Sequence, residues 1–98
     1  MDSPLAQESK TRKEQRMCPE RRLEEDLRAE TLKWLKKAEE LFSRVSGEEQ
    51  FLENVSAYLQ DSRYFLNEGD LIRAFEAVVW AWAWLEIGLE MKRLQEVV

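Results

Sequence analysis

Apolar positions recur at helical spacing through three successive stretches of this chain. In the first, Leu23, Leu27, Thr31, Trp34, Leu35, Ala38, Leu41, Phe42 and Val45 fall mostly three or four residues apart, as in an amphipathic helix that reserves one face for a core. The pattern predicts a helix over about 19–45. Pro19 suits its first turn, where the missing amide hydrogen has no intrahelical partner to lose. Glu20, Glu24, Glu25 and Asp26 give that end the negative charge the helix dipole favours, and Lys36, Lys37 and Arg44 populate the last turns. Ser46-Gly47 reads as the stop, with Gly47 free to take the left-handed C-terminal position.

The second stretch predicts a helix over about 48–68. Leu52, Val55, Leu59, Ser62 and Leu66 step alternately by three and four, and Phe51, Tyr58 and Phe65 flank them every seventh residue, which is a heptad stripe. Asn67-Glu68-Gly69 ends it, and Asp70 is a good N-cap for the next element. The third helix is expected over about 71–96, with Leu71, Phe75, Val78, Trp82, Leu85 and Leu89 on its main stripe. Ala74, Ala81 and Gly88 run beside that stripe, small residues that let a neighbouring helix backbone come close. With Gly69 and Asp70 they form the expected helix-turn-helix packing set. Short loops make successive helices antiparallel neighbours. The fold class is therefore all-α: an up-down-up antiparallel three-helix bundle over 19–98, preceded by a mobile polar tail over 1–18 that lacks apolar periodicity.

The third helix is apolar over more of its circumference than a bundle uses. Almost opposite the Val78/Trp82/Leu85 stripe runs a second one, Ala77, Trp80, Trp84, Ile87 and Met91, and the polar remainder is a narrow band around Glu76, Glu86 and Glu90. Two neighbours account for a wide apolar arc, but not for one of roughly 240°. Exposed tryptophans form a patch that soluble monomers seldom carry, and tryptophan is enriched at interface hot spots. The expectation is that Trp80, Trp84, Ile87 and Met91 are covered by something outside the first two helices: a homodimer mate or another protein. Two alternatives stand beside it. The N-terminal segment folds back over them, or the bundle is splayed and the third helix is simply central.

Composition narrows the function classes. The 98 residues contain no histidine and one cysteine, Cys18, so an intramolecular disulfide is excluded and a reducing, cytoplasmic setting is expected. The longest apolar run, Ala77 to Leu85, falls far short of the ~20 residues a membrane span requires, and no secretory signal pattern opens the chain. Without histidine, most metal sites and the Ser-His and Cys-His nucleophile pairs drop out. Glu86 and Glu90 lack the Glu-x-x-His partners of di-metal bundles. The three glycines are isolated, so no phosphate loop is present. The expectation is a non-enzymatic protein with no cofactor and no metal.

The net charge of −5 lies wholly in residues 29–98, since residues 1–28 balance seven basic against seven acidic side chains. An acidic body disfavours nucleic acid. Lys10 to Arg22, with six basic and two acidic residues, offers a basic arm for an anionic partner, but it lacks aromatics for base stacking. A further reading is a small ligand held between helices, with Tyr58, Tyr64 and the acidic band giving polar contacts.

The segment from Tyr58 through Asp61-Ser-Arg-Tyr-Phe-Leu-Asn-Glu-Gly-Asp-Leu-Ile-Arg-Ala-Phe-Glu-Ala to Trp84-Leu85 resembles the signature half of a small archaeal family catalogued as a domain of unknown function, number three hundred and fifty-seven. There an acidic-aromatic helix ends in Gly-Asp and an Ala-Phe-x-Ala helix follows. The resemblance covers about residues 25–95 and is strongest from Asp61 to Gly88. It implies a compact three-helix bundle and no established activity. Leu66-x-x-Gly69-Asp70 with Ala74 and Ala81 is also similar to the hairpin of a single tetratricopeptide repeat. One copy is too few for a stack, so this reads as shared hairpin packing. A weaker similarity is to helical nucleotide-binding domains, whose Arg-x-x-x-x-His motif a histidine-free chain lacks.

Overall fold

A computed structural model of the chain describes residues 19–97; the expected tail over 1–18, Cys18 and most of the basic arm lie outside them. Three helices form, α1 (Pro19–Phe42), α2 (Glu49–Asn67) and α3 (Leu71–Glu90), with a two-stranded ribbon made of β1 (Val45–Gly47) between α1 and α2 and β2 (Leu94–Glu96) after α3. The up-down-up bundle is as the periodicity predicts, while the ribbon is new. Both the first and third helices stop short of their predicted ends.

The core is built from the predicted stripes. Leu35, Ala38 and Leu41 of α1, Val55, Leu59 and Leu66 of α2, and Ala74, Val78, Ala81 and Leu85 of α3 are buried together. Two polar residues share that interior, each with its hydroxyl satisfied. Thr31 Oγ1 donates to the Leu27 carbonyl at 2.7 Å, and Ser62 Oγ to the Ala74 carbonyl of α3 at 2.8 Å. A buried hydroxyl without such an acceptor would be destabilising. Helix α3 is central: it packs broadly on both α2 and α1, which touch each other far less.

The ends of α2 and α3 close in the same way. After α2, Gly69 adopts φ 79°; its N–H donates to Leu66 O at 3.1 Å and the Asp70 N–H reaches back to Phe65 O at 2.9 Å. After α3, Lys92 takes that place at φ 62°, donating to Leu89 O at 3.2 Å, while the Arg93 N–H reaches Gly88 O at 2.8 Å. This is the paired hydrogen bond of a Schellman turn. Glycine announces the first in the sequence; lysine conceals the second.

The turn sends the chain back along the bundle end, where β2 pairs antiparallel with β1 in the register Val45↔Glu96, Ser46↔Gln95, Gly47↔Leu94. Helix α1 therefore ends at Phe42, and Val45 enters the core from a strand. Arg44 lies beyond the last turn of α1, which holds no base, although its guanidinium still reaches the Glu40 carbonyl at 3.4 Å. Gly47 is no helix cap but a strand residue at φ 150°, where a Cβ would run into the Arg93 carbonyl and the Leu94 Cα.

Leu94, only 2% exposed, explains Gly88. The expectation that Gly88 admits a neighbouring helix backbone is corrected. The space beside it is filled by the Leu94 side chain, and a Cβ on residue 88 would stand 2.6 Å from Leu94 Cδ1 and 3.0 Å from Phe51 Cδ2. The rest of the packing set falls between α2 and α3. Ala74 and Ala81 are fully buried, Gly69 makes the turn, and Asp70 caps α3 by accepting from the Arg73 N–H at 3.1 Å.

Candidate interaction surface

Three of the four tryptophans sit on α3, and each meets an aromatic ring of a neighbouring helix. Trp82 meets Trp34 of α1 edge-on, with centroids 5.4 Å apart at 65°. Trp84 meets Phe51 of α2 edge-on at 5.0 Å and 78°, and Trp80 stacks on Tyr58 of α2 at 6.2 Å and 21°. Offset and edge-on pairs of this kind add about 0.5–1.5 kcal/mol to area burial. They account for much of the wide apolar arc, as the central position of α3 requires.

Cover from outside is therefore not needed for Trp84, which is half-buried against the core. Its indole is long enough to bridge to Phe51 from the edge of the helix. The other three residues of the expected face remain open: Trp80 is 52% exposed, Ile87 49% and Met91 55%. With Trp84 they make a stripe at i, i+4, i+7 and i+11, running along the α2 side of α3 to its C-terminal end.

A second apolar surface lies on the other side of α3. Trp34, Phe75, Val78, Val79 and Trp82 line a groove of about 270 Å³ between α1 and α3. Both indole nitrogens there already have partners. Trp34 Nε1 donates to Glu30 at 2.9 Å and Trp82 Nε1 to Glu86 at 2.7 Å. The Trp34 indole N–H holds the Glu30 carboxyl below its ordinary range, aided by Lys33 and Lys37 against the opposing cost of desolvation. Lys37 and Lys33 stand over the Trp34 ring, 4.8 and 5.6 Å from its centroid, in cation–π geometry. Trp34 and Trp82 belong to the apolar stripes of the sequence pattern, in which Val79 has no place. A glutamate one turn from each tryptophan, Glu30 before Trp34 and Glu86 after Trp82, was the available signal that both indoles lie near solvent.

Of the residues named for a small ligand, the structure brings Tyr58 and Glu76 of the acidic band together but leaves Tyr64 apart. Tyr58 lines a pocket of about 300 Å³ with Asp61, Phe65, Arg73, Glu76 and Trp80. Tyr64 is 59% exposed and packs edge-on with Phe65 instead. Of the carboxylates considered for a cation, Glu86 serves the Trp82 indole and Glu90 is exposed. Among the described residues no group of three or more acidic, cysteine or histidine side chains could hold a metal ion. None of the described helices is long and apolar enough to cross a membrane.

The family model described as a protein of unknown function, DUF357, matches residues 20–94. Among solved structures, the chain is similar to the crystal structure of protein AF1782 from Archaeoglobus fulgidus, itself described with that family. The two are 63% identical with a TM-score of 0.75 over 76% of this chain and 99% of that one. No curated protein shows a significant match.

Proposed function

The chain belongs to the DUF357 family, whose function is unknown, and from that premise we propose that it is a non-enzymatic protein-interaction module working through the α2-side stripe of α3. One observation carries the reading. Trp80, Ile87 and Met91 stay about half exposed in line on one flank of α3, beside a Trp84 that is packed against the core. Large apolar residues in line on a rigid helix suit a partner that lays an apolar ridge along them, and aromatic anchors of this kind dominate binding energy at interfaces. Glu76 and Glu90, exposed beside the stripe, favour a partner with a basic rim.

The test is the double substitution Trp80→Ser with Ile87→Ser, which leaves the half-buried Trp84 in place. Tagged wild-type and variant proteins are used to recover partners from native extract, and binding to any recovered partner is then titrated with both. The expected result is a stoichiometric partner whose affinity falls at least ~30-fold in the variant, as loss of a hot-spot residue predicts, with the thermal midpoint little changed. Equal recovery and equal affinity would overturn the proposal.

A further inference from the structure

The groove between α1 and α3 has a chemistry of its own, separate from the stripe on the other flank. Its floor is apolar and aromatic, and its two polar atoms, the indole nitrogens of Trp34 and Trp82, are engaged with Glu30 and Glu86. An occupant therefore has no donor to satisfy there and must itself be apolar. Val79, 48% exposed, stands in the groove wall uncovered by the other described residues.

The rims differ in sign. On α1, Lys33 and Lys37 stand over the Trp34 ring, with Glu30 paired to Lys33 at 3.4 Å, so the rim carries net positive charge. On α3, Glu86 flanks Trp82, and the helix has no Lys or Arg from Ala74 to Glu90. A surface of this kind is complementary to itself in one arrangement. When two copies face each other about a two-fold axis running along the groove, the α1 rim of each lies on the partner's α3 rim at the same height. The Trp34–Trp82 contact puts Lys33, Lys37 and Glu86 at that common height, so lysine meets glutamate. A two-fold axis running across the groove would instead set α1 against α1 and lysine against lysine. Isologous contacts of the first kind close a dimer without leaving an open end.

We infer that the α1/α3 groove is a self-association surface. Two copies bury Val79 and the exposed edges of Trp34 and Trp82 against each other, with Lys37 of each copy facing Glu86 of the other. The inference does not depend on the α2-side stripe, which lies on the opposite flank of α3.

Sedimentation velocity on the full chain tests it over a range of concentrations, with Lys37→Glu, Glu86→Lys, the two combined, and Val79→Arg. The wild type is expected to reach twice the chain mass. Each single reversal weakens the dimer about tenfold and the combined exchange restores most of the loss, as close charge pairs at an interface do. Val79→Arg places a long charged side chain in the groove and keeps the protein monomeric. Since Val79 is half-exposed, circular dichroism of that variant should match the wild type. Glu86→Gln retains an acceptor for the Trp82 indole and separates loss of charge from loss of the hydrogen bond; it is expected to weaken the dimer less than Glu86→Lys. A single-chain mass at every concentration overturns the inference. So does a dimer indifferent to Val79→Arg, or one indifferent to both reversals but abolished by Trp80→Ser with Ile87→Ser. A folded Trp80→Ser/Ile87→Ser protein that still dimerises but binds no partner supports both readings, each on its own surface.

Discussion

Gly88 illustrates how one hydrogen atom governs the end of the molecule. A methyl at this position would sit 2.6 Å from Leu94 Cδ1, well inside van der Waals contact, so Gly88→Ala must displace the leucine. Overpacking of this kind costs about 1–3 kcal/mol, more than the helix propensity alanine brings. Shortening the leucine should remove the clash, so Gly88→Ala is expected to cost less when Leu94→Ala is already present. A double-mutant cycle on thermal or urea unfolding measures that coupling; strict additivity would mean that the two side chains do not compete for space. The small residue was plain in the sequence, but what filled the space beside it was not, because a glycine records room and not its occupant. Trp84 shows the same limit from the other side. A helical wheel gives the direction of its Cα–Cβ bond but not the reach of the indole to Phe51, whereas Trp80, Ile87 and Met91 have their open faces where the wheel puts them.

Among the elements, α3 is the one whose boundaries were half legible. Its start is written in residues with specific backbone roles: Gly69 at φ 79° and Asp70 as N-cap. The Arg73 side chain, then the Arg73 backbone N–H, holds the Asp70 carboxyl below its usual range. A lowered carboxyl pKa contributes stability above its unfolded-state value, and that contribution is lost as pH falls through the lowered folded value. Asp70→Ala is therefore expected to melt at lower temperature than wild type at neutral pH. The gap should narrow as the pH drops below the ordinary carboxylate range. A gap constant across an acid series of melting curves would assign the effect to something other than the cap. The end of α3 carried no comparable mark, since lysine is an unremarkable residue and Lys92 reaches φ 62° only in the company of the ribbon. Val45 continued the helical spacing of α1 and so extended that prediction too. Three-residue strands are too short for alternation to register, and their pairing depends on chain far away in sequence.

For the molecule as a whole, the ribbon decides how the bundle end is sealed. Leu94 is buried with Val45, and the Glu48 N–H donates to the Arg93 carbonyl at 3.0 Å, while the Arg93 guanidinium returns to the Glu48 carboxylate at 2.8 Å. The ion pair is half-exposed and worth little by itself; the leucine is the seal. Leu94→Ala is expected to cost about 2–5 kcal/mol, as for other fully buried leucines, and so to rank with Leu35→Ala although it lies outside every helix. Chemical denaturation of both variants checks this, and a cost under 1 kcal/mol at Leu94 would show the end to be loosely held.

The ribbon also sets an order of events. Its strands lie about fifty residues apart along the chain, and loops of that length close slowly compared with helix formation. In refolding, the three helices can associate while Gly88 still faces an unfilled gap, and the gap persists until the ribbon pairs and brings Leu94 into it. Folding of this domain thus has a built-in late step. The amide hydrogens paired across β1 and β2 should be the last to gain protection in a pulse-labelled refolding experiment, marking the moment at which a helical hairpin with an added helix becomes the finished protein.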